Sequence, residues 1–319
     1  MNEHILYADI HELHLSLERR SCAGARGRDI DPRACATALD AWIRAGELVP
    51  NSLAISTTTL HHGDFQPVID VLCEHRPAVR FLRLGALTFP DFERGNDLGP
   101  REDSDGSSWI AEVRSLDRVL RALPALQELI VHANDIGLMD AEPICAPSLQ
   151  RLVLRADTLA PDFIAALGQS TFSELLALQL WCGNIDYGWG DVTGKDLSAL
   201  LDSSGMPKLR HLALLSDITN GLIPELAGSS VLPRLATLDL SYGTLGDEGA
   251  ALLIEQWPRF AHLDRLMLAG NFMTPAAARA LKGMAPRAID IGWQRWNDSD
   301  GSKHCMPPAV SLFSDWPGP

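Results

Sequence analysis

Residues 188–196 read Gly-Trp-Gly-Asp-Val-Thr-Gly-Lys-Asp, a glycine-rich turn running into a lysine and a helix, and phosphate-binding loops are built from these parts. Trp189 stands where the first glycine of such a loop belongs. Asp196 replaces the hydroxyl that would hold magnesium and puts negative charge beside the phosphates. The stretch therefore reads as a protruding loop whose Tyr187 and Trp189 either pack on the following helix or present aromatic anchors to a partner. Asp103, Asp105, Gly106 and Glu112 have calcium-loop spacing, but Arg101 puts a cation at the first ligand position. A second Asp-Ser-Asp-Gly-Ser, residues 298–302, has Pro307 where the bidentate glutamate belongs, so both read as solvated turns. His11 and His14 are one residue short of zinc-protease spacing, and His61-His62 lacks a spaced third ligand. The six cysteines show no C-x-x-C pair, and no G-x-S-x-G elbow is present. No metal, cofactor or catalytic residue is assigned, and the chain is expected not to be an enzyme.

The elements that would carry any site follow from a recurring phrase, apolar-x-x-apolar-x-apolar. Clear copies are Leu126/Leu129/Val131, Leu149/Leu152/Leu154, Leu209/Leu212/Leu214, Leu235/Leu238/Leu240 and Leu263/Leu266/Leu268. The fourth positions of all copies are Leu53, Leu82, Leu129, Leu152, Leu178, Leu212, Leu238, Leu266 and Ile289. Most intervals fall near 20 to 29 residues, the period of leucine-rich repeats, in which each unit is a short strand, a turn and a helical stretch. The expected fold is α/β: a solenoid or horseshoe of about nine repeats, with a parallel concave sheet and convex helices. Asp247 to Trp257 supplies one such helix, and Thr274-Pro275 opens the next as N-cap and first-turn proline.

The expected domains are an N-terminal capping region over 1–49, repeats over 50–296 with insertions near 90–108 and 184–196, and a C-terminal tail over 297–319. The composition is that of a folded chain, 46% hydrophobic and 21% charged. No apolar run approaches the roughly 20 residues of a membrane span, and the start lacks a signal-peptide core, so a cytoplasmic location is expected. The net charge of −14 opposes phosphate backbones and anionic lipid headgroups, so neither nucleic acid nor membrane is expected as a partner.

From about Leu175 to Met284 the segments LALQLWCGNIDYGWGDVTGKDLSALL, MPKLRHLALLSDI and LATLDLSYGTLGDEGAALL resemble a bacterial leucine-rich-repeat family of unassigned function with ribonuclease-inhibitor-like repeats. The resemblance implies a helical-convex horseshoe in a cytoplasmic bacterial protein, often encoded beside radical S-adenosylmethionine enzymes. It supplies no catalytic residues.

Side chains alternate along a strand, so the third, fifth and seventh positions of each phrase leave the core and line the inner face. There Arg83, Arg151, Arg155 and Arg265 meet Glu128, Asp239 and Asp290, with Phe81, Trp181 and Met267 among them. Aromatic residues and arginine are the types most often found as binding hot spots. The expected function is a non-enzymatic scaffold binding a protein or peptide through Trp181, Arg151, Arg155, Arg83, Arg265, Phe81 and Met267, together with Tyr187 and Trp189 of the insertion. A second reading makes the chain a substrate or carrier whose tail, with Cys305 and Trp316, is modified by a partner such as a radical S-adenosylmethionine enzyme. A third, an enzyme on a repeat scaffold, lacks any assembled nucleophile, base and oxyanion site.

Overall fold

The computed structural model describes residues 5–9, 12–17, 32–45, 52–57, 63–85, 111–133, 135–140, 142–156, 159–182, 192–215 and 219–294. Its strands are β1 (Ile5–Asp9), β2 (Glu12–Leu17), β3 (Ser52–Thr57), β4 (Gly63–Asp64), β5 (Phe81–Gly85), β6 (Ala111–Val113) and β7 (Glu128–His132). They continue with β8 (Asp135–Ile136), β9 (Arg151–Ala156), β10 (Ala177–Cys182), β11 (His211–Leu215), β12 (Thr237–Asp239), β13 (Arg265–Met267) and β14 (Ile289–Asp290). Eleven of them form one sheet in the order β1-β2-β3-β5-β7-β9-β10-β11-β12-β13-β14, and β4, β6 and β8 form a small parallel sheet beside it. Only the β1–β2 pair is antiparallel; every later pair of the large sheet is parallel.

The apolar marker positions set the register. Leu53, Leu82, Leu129, Leu152, Leu178, Leu212, Leu238, Leu266 and Ile289 stand opposite one another from β3 to β14. Leu13 of β2 joins the row opposite Leu53, one strand earlier than the phrases begin. All nine markers are buried to 1% exposure or less. A one-residue slip of any strand would turn its leucines to the other face, so this burial holds the register. Each fully buried leucine contributes about 1.5–3 kcal/mol to the sheet.

Helices line one side. They span Pro32–Arg44, Gln66–His75, Leu116–Ala122, Pro161–Gln169, Ser198–Leu201, Thr219–Gly228, Asp247–Glu255, Trp257–Phe260 and Pro275–Met284. Leu39, Leu72, Leu120, Leu167, Leu226, Leu253 and Leu281 from these helices join the marker leucines in one continuous core. The segment after Thr274 starts as its sequence implies, with Thr274 Oγ1 accepting a hydrogen bond from the Ala277 backbone N–H at 3.3 Å. The connection from β7 to β9 differs from the expected strand-and-helix unit and holds no helix among the described residues. Pro143 and Pro147 lie too close together there for a helical run between them.

Two close approaches tie successive units. Gly168 sits where the helix Pro161–Gln169 meets Ser198–Leu201, and an added Cβ would lie 2.6 Å from the Ala199 carbonyl carbon. Asn271, fully buried, donates through Nδ2 to the Leu240 and Leu268 carbonyls at 2.8 and 3.0 Å and accepts from the Leu245 N–H at 2.9 Å. One side chain thus satisfies backbone groups of two neighbouring turns that no water reaches.

Candidate inner sheet face

The side chains that alternate with the core residues form three rows across the strands. The first runs Phe81, Glu128, Arg151, Ala177, His211, Thr237, Arg265. The second runs Arg83, Ile130, Val153, Gln179, Ala213, Asp239, Met267, Asp290. The third holds Gly85, His132, Arg155, Trp181 and Leu215.

The first row is open at its two ends, while Ala177 in its middle is buried. Phe81 is 37% exposed and Arg265 is exposed, its Nη2 donating to Asp290 Oδ2 at 2.8 Å. Arg151 Nη1 donates to Glu128 Oε2 at 2.8 Å across adjacent strands, so this arginine is already paired.

The second and third rows are not the open surface that alternation alone implies. Met267 and Arg155, expected to be presented to a partner, are each 3% exposed. Arg155 places its guanidinium carbon 4.9 Å from the centre of the Trp181 ring, a cation–π contact between neighbouring strands. Trp181 in turn packs on a small apolar cluster of Ala213, Leu215 and Tyr242. Tyr242 follows β12 in a left-handed conformation, φ 59°, and its ring lies 6.1 Å from that of Trp293, tilted by 56°. Gly270, itself at φ 68°, makes room for it: a Cβ there would meet the tyrosine ring.

Arg83, Arg151, Arg155, Arg265, Phe81, Trp181 and Met267 thus share one face, as the alternation implies, while differing sharply in access. Tyr187, Trp189, Cys305 and Trp316 lie outside the described residues, as do the 90–108 insertion and the tail. The described end of the 184–196 insertion is a tight turn in which Asp196 Oδ2 accepts from the Thr193 hydroxyl and N–H at 2.6 and 2.7 Å. Those bonds hold the Asp196 carboxyl below its usual pKa.

Residues that the alternation places on this face, but that were not among the candidate binding residues, carry its unusual chemistry. Gln179 and Asp239 flank Ala213 in the second row, and all three are buried. Asp239 Oδ1 accepts from the Ser241 N–H at 2.9 Å. Asp239 Oδ2, both ends of the Gln179 amide and the Trp181 indole N–H make no hydrogen bond among the described residues. Burial pushes the Asp239 carboxyl up to about 6. Desolvation, with Arg155 adding repulsion, pulls His132 down to about 3, so it is neutral at physiological pH. Polar residues at the middle position of leucine-flanked strands were the signal available in the sequence. The left-handed turn at Tyr242 left none.

Chemically, the site offers donors and acceptors in an apolar setting. No group of three or more metal-ligating side chains occurs among the described residues. No helix among them is long and apolar enough to cross a membrane.

The sequence matches no protein-family model and no curated protein. The fold is similar to the crystal structure of a Bacteroides fragilis protein determined as a structural-genomics target, with a TM-score of 0.65. The two chains are 23% identical over 85% of this chain and 72% of that one. At that identity the likeness concerns the fold alone, an α/β arrangement with a large parallel sheet.

Proposed function

We propose that the chain is a leucine-rich-repeat horseshoe that binds an extended polypeptide segment across its inner sheet face, without catalysis. Two features support the repeat reading: the nine marker positions in one register and the bridging of consecutive turns by Asn271, a residue type such repeats place after the strand. The binding reading rests on one observation, the line Gln179–Ala213–Asp239, where a small residue stands between two buried polar ones, and both ends of the Gln179 amide and Asp239 Oδ2 have no described partner. A glutamine amide can donate to a carbonyl and accept from an N–H of a passing backbone, and Asp239 can accept a second N–H. Rows on either side supply Arg151, Arg265 and Trp181 for side-chain selection. In this reading Tyr187 and Trp189 of the 184–196 insertion, which lie outside the described residues, supply further aromatic contacts to the partner.

The test is selection of a displayed random peptide library on the full chain. Enriched peptides are then titrated against Gln179→Leu, which removes the amide and keeps the apolar volume. Binding is expected to weaken about tenfold, the value of one or two buried hydrogen bonds. Failure to enrich any sequence, or equal affinity for the variant, refutes the reading. Reversing Arg151 and Arg155 to glutamate is a poorer test, because Arg155 is buried against Trp181 and its loss disturbs the fold.

A further inference from the structure

Gln179, Trp181, Asp239 and Ser241 of the inner face hold polar atoms that are closed to water and make no hydrogen bond among the described residues. They are both ends of the Gln179 amide, the Trp181 indole N–H, Asp239 Oδ2 and the Ser241 hydroxyl. Gln179 and Asp239 stand on either side of Ala213, which sets their Cα atoms about 10 Å apart at about 4.8 Å per strand. Ser241 is tied to the same carboxyl, its N–H donating to Asp239 Oδ1 at 2.9 Å. Buried polar atoms without partners are costly, and a carboxylate is the costliest of these. Several of them on one stretch of a face point to a ligand that completes them.

What the set lacks is positive charge. Arg265 of the neighbouring strand donates to Asp290, and Arg151 donates to Glu128. Arg155 lies three strands from Asp239 and stacks on Trp181. Burial pushes the Asp239 carboxyl up to about 6, so at pH 7 it is ionised, with no ion-pair partner among the described residues. Water could complete the hydrogen bonds and would leave this charge unbalanced. The aromatic rings beside the site suit a cation too, since Trp181 and Tyr242 share one apolar cluster with Ala213 and Leu215.

We propose that the segment bound in the function proposed above is anchored by a lysine, whose ammonium donates to Asp239 Oδ2, Gln179 Oε1 and the Ser241 hydroxyl. The ammonium has three donors for these three acceptors, and its methylene stem lies along the aromatic rings. The Gln179 amide N–H and the Trp181 indole N–H remain to donate to carbonyls of the segment. Trp181, His211 and Thr237 are the partly exposed side chains next to the site, so the lysine enters past them. His211 is held below its usual pKa, chiefly by burial, so it is neutral and does not repel the cation.

The chain's net charge of −14 draws basic peptides of any kind, so the test is run in roughly 1 M salt, where the screening length is about 3 Å. Peptides selected from the displayed library are remade with norleucine in place of each lysine and titrated by calorimetry. One replacement should weaken binding about thirtyfold or more, as loss of a buried charge pair does. Asp239→Asn should weaken the lysine peptide by a similar factor and hold the norleucine peptide as tightly as the unaltered chain does. Selected peptides without lysine, or a lysine effect of equal size on both chains, overturn the inference and leave the proposed function standing. A second probe needs neither a peptide nor a foldable variant. n-Butylammonium chloride should raise the melting temperature of the unaltered chain saturably, beyond sodium chloride or n-pentanol at equal concentration, and no such rise overturns the inference. That rise with no selectable peptide keeps the amine site and refutes the proposed function.

Discussion

Asp239→Asn should stabilise this protein at neutral pH and lose that advantage in mild acid. The carboxyl is fully buried and its pKa is raised from 3.8 to about 6, chiefly by desolvation. Between those values the folded chain holds a proton that the unfolded chain has released, so stability falls as pH rises from about 4 to about 6 and is level above. A shift of about two units costs about 3 kcal/mol at pH 7, by 1.36 kcal/mol per unit. Asparagine keeps the oxygen that accepts from Ser241 and removes the charge, but its buried amide N–H groups cost about 1 kcal/mol. The net expectation is a gain of about 2 kcal/mol at pH 7.5 and a small loss near pH 4. Guanidinium unfolding followed by tryptophan fluorescence, run on both chains at both pH values, measures it. The difference between the two chains is the quantity to read. His132, lowered to about 3, contributes stability that is present above pH 6.5 and lost in acid, and it cancels in that difference. A gain that does not change with pH, or destabilisation at pH 7.5, would show that Asp239 is not held as a buried ion and refute the reasoning.

Asn271→Ala leaves two carbonyls and one N–H unpaired in a site closed to water, and should cost about 3 kcal/mol, read as a lower denaturation midpoint. Asn271→Asp should be no better, since a carboxylate would face the Leu240 and Leu268 carbonyls. Gly168→Ala ought to stabilise an isolated helix by about 1 kcal/mol, yet here the methyl would press on the Ala199 backbone. A lower melting temperature for that variant is the expected result, and a higher one would mean that the two helices can separate freely.

Much of this fold is legible in the sequence, because parallel strands joined by short units repeat one spacing and their leucines must share one side. The marker row from Leu53 to Ile289 follows from that spacing alone. What spacing leaves out is depth. Alternation places Arg155 and Met267 on the inner face, but it says nothing of what lies over them. The burial of Arg155 depends on a neighbour distant in sequence, Trp181, which meets it from the next strand. The missing helix between β7 and β9 follows from Pro143 and Pro147, a local signal outweighed by the regularity around it. Gln179 and Asp239 were visible as polar residues, while their unpaired atoms become visible only in three dimensions.

The strand order has a consequence for synthesis. From β2 onward each strand of the large sheet pairs with the one made just before it and then templates the one made next. At about 5 to 20 residues per second, a unit of this length emerges from the ribosome within a few seconds. The newborn chain therefore always has a finished edge waiting for its next strand, and no leucine row stays uncovered longer than the making of one unit. Across the described residues assembly can keep pace with translation, and the last described strand, the two residues of β14, offers little length for a stray chain to copy.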